Sequence, residues 1–264
     1  MRLASGNDAM KHWAIALLLL TLPVSAATPV PPALYDLYAR GRYEDAIRAG
    51  EASHSAAGYA LAARAALGDA ALQGAPCLDC LKRAETLARA AIAADPQLAD
   101  GQAWLAASLG YQARIIGLIR ARLANMPGQA KDALDAAIAA EPDNPYAVAA
   151  LGGWNVEVVK AGGPFLARRL YGATLEQGLT LFDRAVRLAP GNVAVRYQVA
   201  LTLAGFDPDS YRARLTAELD ATLQAAPATA YERAMQARAT QLKSALPGDR
   251  ARFDALVRKY QGYP

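Results

Sequence analysis

The chain is poor in the residues that most chemistry needs. It has two cysteines and two histidines in 264 residues, and only 7% of it is aromatic. Beyond residue 27 the soft ligands number three: His54, Cys77 and Cys80. A structural zinc site needs four, so zinc is excluded. Haem attachment through Cys77-Leu78-Asp79-Cys80 would need histidine next, and Leu81 stands there. Gly152-Gly153 and Gly162-Gly163 lack the strand-to-helix setting of a phosphate loop. His54 has no partnered nucleophile near it, and Glu141, Asp143, Glu176 and Asp183 form no recognisable acid/base pair. The reading is therefore of a chain that is not an enzyme and carries no cofactor. The net charge of +4 comes without a basic and aromatic stripe, which argues against nucleic acid. Alternating β-branched runs are nearly absent, so almost no strand is expected.

Long apolar runs are also missing, with one exception. Arg2, Lys11 and His12 precede WAIALLLLTL at 13–22, and Pro23 breaks the run before Val24-Ser25-Ala26. That is the pattern of a secretory signal peptide over 1–26, with cleavage between Ala26 and Ala27. About ten apolar residues are too few to span a bilayer comfortably. The expected destination is the periplasm, the alternative being an uncleaved N-terminal anchor. Either Met1 or Met10 could start the chain. Residues 27–32 read as an extended lead-in, and 33–264 as one helical domain. No transmembrane span is expected in the mature chain.

What is present is alanine, leucine and a recurring proline. Ala-Glu-Pro-Asp-Asn at 140–144 and Leu-Ala-Pro-Gly-Asn at 188–192 each follow a stretch with small residues at fixed offsets. Five, eight and twelve residues before Pro142 stand Ala137, Leu134 and Ala130. The same offsets give Ala91, Ala88 and Ala84 before Pro96, and Ala185, Phe182 and Gly178 before Pro190. Small residues let two helices approach, a bulky one fills the groove, and proline stops the helix. The pattern resembles the second half of a tetratricopeptide repeat. The prolines at 96, 142, 190 and 227 are 46, 48 and 37 residues apart. An uninterrupted repeat takes about 34, so two central units carry insertions of roughly 12 to 14 residues.

The expected architecture is all-α, a right-handed superhelical solenoid of about five helical hairpins with insertions in the central repeats. Residues 98–126 read as one long helix. Gly162-Gly163-Pro164 reads as a break, Ala167–Tyr171 as a short helix and Thr174 as a cap. From about 84 to 246 the sequence further resembles the regulator of microtubule dynamics proteins and their bacterial exported relatives. The resemblance rests on the helix with Trp104, on Leu151-Gly152 followed by Trp154, and on Arg168-Arg169-Leu170-Tyr171-Gly172. It implies a divergent repeat scaffold that binds rather than transforms.

Repeat proteins of this kind bind along the concave face lined by the first helix of each unit. The inward positions are expected to be Ala103, Ala107 and Gly110, then Tyr146, Ala149, Gly153 and Val156, then Ala194, Tyr197 and Leu201. Tyr146, Gly153, Trp154 and Tyr197 are the candidate groove residues. Arg168 and Arg169, with Arg114, Arg120 and Arg122, are candidates for a basic rim. The inserts are expected to bury the groove, with Trp104, Trp154 and Phe165 in the core. Cys77 and Cys80, in an exported chain, are expected to form a structural disulfide. The expected partner is another envelope protein; the alternative is a small apolar ligand passed on within a transport system.

Overall fold

The computed structural model describes residues 29–264. The signal-peptide reading and its cleavage at Ala26 and Ala27 lie outside them. Thirteen helices and no strand occur among the described residues. They are α1 (Pro32–Ala39), α2 (Tyr43–Ala52), α3 (Ala56–Leu72), α4 (Leu78–Ala94), α5 (Ala99–Ile116), α6 (Leu118–Leu123) and α7 (Met126–Ala140). Then follow α8 (Pro145–Tyr171), α9 (Leu175–Leu188), α10 (Val193–Phe206), α11 (Arg212–Gln224), α12 (Ala230–Ala245) and α13 (Arg250–Tyr260).

The punctuating prolines act one step upstream of themselves. A proline disfavours the helical region for the residue before it. Asp95, Glu141 and Ala189 accordingly leave the helix at φ near −140° to −150°, and α4, α7 and α9 end there. Each following helix is opened close by, twice with an asparagine cap. Asn144 Oδ1 accepts from the N–H groups of Tyr146 and Ala147, and Asn192 Oδ1 from Val195. Thr174 caps α9 through Gln177 N–H.

Packing follows chain order. Helices α1 and α2, α3 and α4, α5 and α7, α8 and α9, and α10 and α11 pack as successive pairs. The residues at the proline-counted offsets are buried where the two helices of a pair meet. A methyl group on Gly152 would come within 2.7 Å of the Phe182 ring, and one on Gly178 within 2.9 Å of Val156. Glycine is what lets α8 lie on α9 over that ring.

The first helices of the pairs also touch one another. Helix α3 packs on α5, α5 on α8, α8 on α10 and α10 on α12. The row then curves back on itself. Helix α12 reaches α1 and α3, and Arg238 Nη2 donates to the Ala71 carbonyl at 2.6 Å. The last helices of the row thus come back to its first, around a partly open hollow on the inner face.

One sequence expectation needs correction here. The stretch 98–126 is not one helix: Gly117, at φ +86°, ends α5 and starts the short α6. The break expected at Gly162-Gly163-Pro164 is there, and the short helical stretch expected over Ala167–Tyr171 follows it. It continues α8 beyond a kink at Gly163, where φ is +75°. Only glycine occupies such backbone without strain. The two inserts are thus built alike. Each begins at a left-handed glycine and runs as a short helix with one buried alanine, Ala121 or Ala167. Each then turns back through a left-handed residue, Asn125 or Gly172.

The cysteine sulfurs lie at bonding distance, with Cα atoms 5.3 Å apart, at the start of α4.

Candidate binding cavity

Inside the row lies a cavity of about 440 Å³. Its walls come from the inner faces of α3, α5, α8 and α10, and α6 and the kinked end of α8 close over one side. On α5 the lining residues include Trp104, Ala107, Tyr111 and Arg114, and on α8 Tyr146, Ala149, Gly153 and Glu157. Both sets recur three or four residues apart, the spacing of one helix face. Most of the wall is alanine, leucine, glycine and aromatic ring. Volumes in this range suit a small molecule or an apolar side-chain cluster.

One end of the cavity is polar. Arg64, deep in α3, lies 4.7 Å from the Tyr38 ring, 5.3 Å from Trp104 and 5.0 Å from Tyr146. Its Nε donates to Tyr38 Oη at 3.1 Å and its Nη2 to Tyr146 Oη at 3.2 Å. Burial opposes the charge, but Tyr38, Tyr146 and Asp100 hold the guanidinium protonated. Asp100 acts through the field and makes no ion pair with it. Tyr146 Oη also accepts from Asn192 Nδ2 at 2.8 Å. The buried Trp104 Nε1 has no acceptor in the structure. This end is therefore rich in donors and short of acceptors, so it suits an acceptor oxygen on whatever enters.

Another part of the wall is a satisfied ion pair. Arg114 Nη2 meets Glu157 at 3.4 Å, and its Nη1 donates to the Gln261 carbonyl at 2.9 Å. Tyr263 stacks its ring 5.8 Å from the same guanidinium. The C-terminal tail thus seals the wall between α5 and α8.

The sequence-selected residues divide. Tyr146, Gly153 and Trp154 line the cavity, as do Ala107, Gly110, Ala149 and Ala194. Tyr197 does not. It is buried in the core formed by α10, α12 and α13, with its hydroxyl unpaired. Ala103, Val156 and Leu201 are likewise buried in helix packing rather than in the lining. Arg168 and Arg169 are exposed and outside the lining, and Arg114, read as part of a basic rim, is internal and paired. The inserts do not fill the groove. Trp104 and Trp154 are wall residues, and Phe165 is 77% exposed rather than in the core. Trp154 is held by donating from Nε1 to the Pro127 carbonyl at 3.0 Å.

Arg64 was not singled out from sequence. A trace of it is there: it is the lone charge in AGYALAARAAL at 57–67. A charge inside an otherwise apolar helix must find partners within the fold.

The family model described as regulator of microtubule dynamics protein 1-3 matches residues 59–246. The chain belongs to that family. The matched segment takes in most of α3, both inserts and nearly all of the cavity wall. Tyr38 and Tyr263, which close the cavity from the two ends of the chain, lie outside it. No curated protein matches the chain. Among the described residues no helix is long and apolar enough to cross a membrane, and no cluster of three potential metal ligands occurs.

Proposed function

We propose that this is an exported, non-enzymatic binding protein of the cell envelope whose tetratricopeptide-like helix pairs recruit another protein. The cavity is the binding site, and an apolar segment of the partner occupies it. One observation carries the reading: an apolar, aromatic-lined hollow on the inner face, with the Arg64 guanidinium and the unpaired Trp104 Nε1 at one end. Such a surface grips a ligand; it offers no nucleophile paired with a base. The signal-peptide pattern at 1–26 supports export, and the paired cysteines fit an oxidising compartment.

A second reading is favoured by the volume. A partly open hollow of about 440 Å³ is that of a small-molecule site, so a small apolar ligand with an acceptor group at one end fits it as well. Purification from the native envelope separates the two. A protein occupant gives a stoichiometric second chain that is lost on Gly153→Trp, which fills the cavity. A small ligand gives a native mass shift lost in the same variant, with no second chain. Neither species in the wild type would overturn the site.

A further inference from the structure

Exposed large apolar side chains are concentrated in two places. Apart from Tyr35, the described ones are Leu118, Ile119 and Leu123 on α6, and Phe165, Leu166 and Leu170 beyond the α8 kink. They are 45% to 84% exposed. These are the two inserts. Arginines are interleaved with them: Arg120 and Arg122 on one, Arg168 and Arg169 on the other, all exposed. None of the four forms an ion pair among the described residues, whereas Arg40, Arg42, Arg48, Arg89, Arg212 and Arg250, also exposed, each do. Acidic residues are missing around them. There is none from 101 to 131 and none from 158 to 175, in a chain with 24. The two tips share a side of the molecule, because Leu118 and Ala121 of one and Leu166 and Leu170 of the other line the same cavity. Each is pinned to the body by its single buried alanine.

We propose that the two inserts form a docking surface for an anionic lipid bilayer. Short helices that present large apolar side chains and arginines together lie in the headgroup region. The apolar groups enter the acyl boundary and the arginines meet lipid phosphates. Charge complementarity selects this occupant. A protein partner or a second copy would be expected to bring or find carboxylates on these faces, and the chain has cleared its own from both. Two separate apolar points also suit a plane better than a continuous protein groove. The inference does not depend on what occupies the cavity.

The test is flotation of the chain from Ala27, which holds every described helix, with three-to-one phosphatidylcholine–phosphatidylglycerol vesicles and with pure phosphatidylcholine. The wild type should float with the anionic vesicles and release as salt rises. Ile119→Ser, Leu123→Ser and Phe165→Ser together should weaken binding by about tenfold or more. Replacing the four arginines by alanine should cost roughly fivefold for each one removed, and abolish the salt dependence. All seven side chains are exposed, so thermal melts should stay within about a degree or two of the wild type. As an independent measure, Phe165→Trp should give added blue-shifted emission on anionic vesicles, quenched by brominated acyl chains. A wild type that does not float, variants that float equally well, or a dimer that the serine variant dissolves without any vesicle binding would each overturn the proposal.

Discussion

At the scale of single residues, small size and buried charge decide most outcomes. Gly178 and Gly152 face each other across the α8 and α9 contact, with Phe182 filling the remaining space. Gly178→Ala should therefore destabilise by about 1 to 3 kcal/mol through overpacking, visible as a lower denaturant midpoint at unchanged slope. An unchanged midpoint would mean the helices can separate at no cost. Asp100 supplies a pH prediction. Burial raises its pKa above the ordinary 3.8, only partly offset by Arg64 and by the Asn144 hydrogen bond. A carboxyl whose folded pKa is raised binds its proton more tightly when folded. Its contribution is full below the ordinary value and is lost as pH rises through the raised one. Asp100→Asn should thus gain stability relative to wild type as pH goes from about 4 to neutrality, read as a widening difference in melting temperature. The proline offsets were legible in sequence because the close approach they encode is local and repeated. Arg64 was not, because its partners Tyr38 and Tyr146 are 26 and 82 residues away along the chain.

At the scale of elements, termini and kinks set where the side chains of the cavity point. Helix α12 begins with a capping box, in which Glu232 N–H donates to Thr229 Oγ1 and Thr229 N–H donates to the Glu232 carboxylate. Thr229→Ala should lower stability by about 1 kcal/mol and loosen the helix that closes the row, which amide exchange at Tyr231 to Arg233 would report. Gly163 carries a different load. At φ +75° it turns the end of α8 by a kink that no L side chain adopts comfortably. Gly163→Ala should cost about 1 to 3 kcal/mol, or else straighten α8 and move Leu166 and Leu170 away from the cavity. Either outcome is measurable, the second as a changed Trp154 emission. The glycines at 162–163 announced the break and the residues after them the short helix, but not the direction in which that helix leaves. Gly117 sat unnoticed in a stretch with no proline, because a lone glycine reads as a tolerated helix residue until its φ is known.

For the whole molecule, the consequential contact is the return of α12 to α1 and α3. Arg238 joins the two ends of the row through the Ala71 carbonyl and lies 4.9 Å from the Tyr260 ring. Arg238→Ala should destabilise by roughly 1 to 3 kcal/mol and increase the radius of gyration by solution scattering, since it removes a charge-assisted bond between distant segments. An unchanged radius would place the closure on the apolar contacts of α12, Tyr231 among them, with α1 and α3. Helix content, the pairing of neighbours, the number of pairs and the place of the insertions follow from periodic residues and short connections, which act between positions close in the chain. The return of the last helices to the first, the hollow at the centre, the burial of Tyr197 and the outward turn of Phe165 do not. Each small rotation between one pair and the next adds to the last, so which faces meet at the end is settled by the accumulated curvature of all the pairs together.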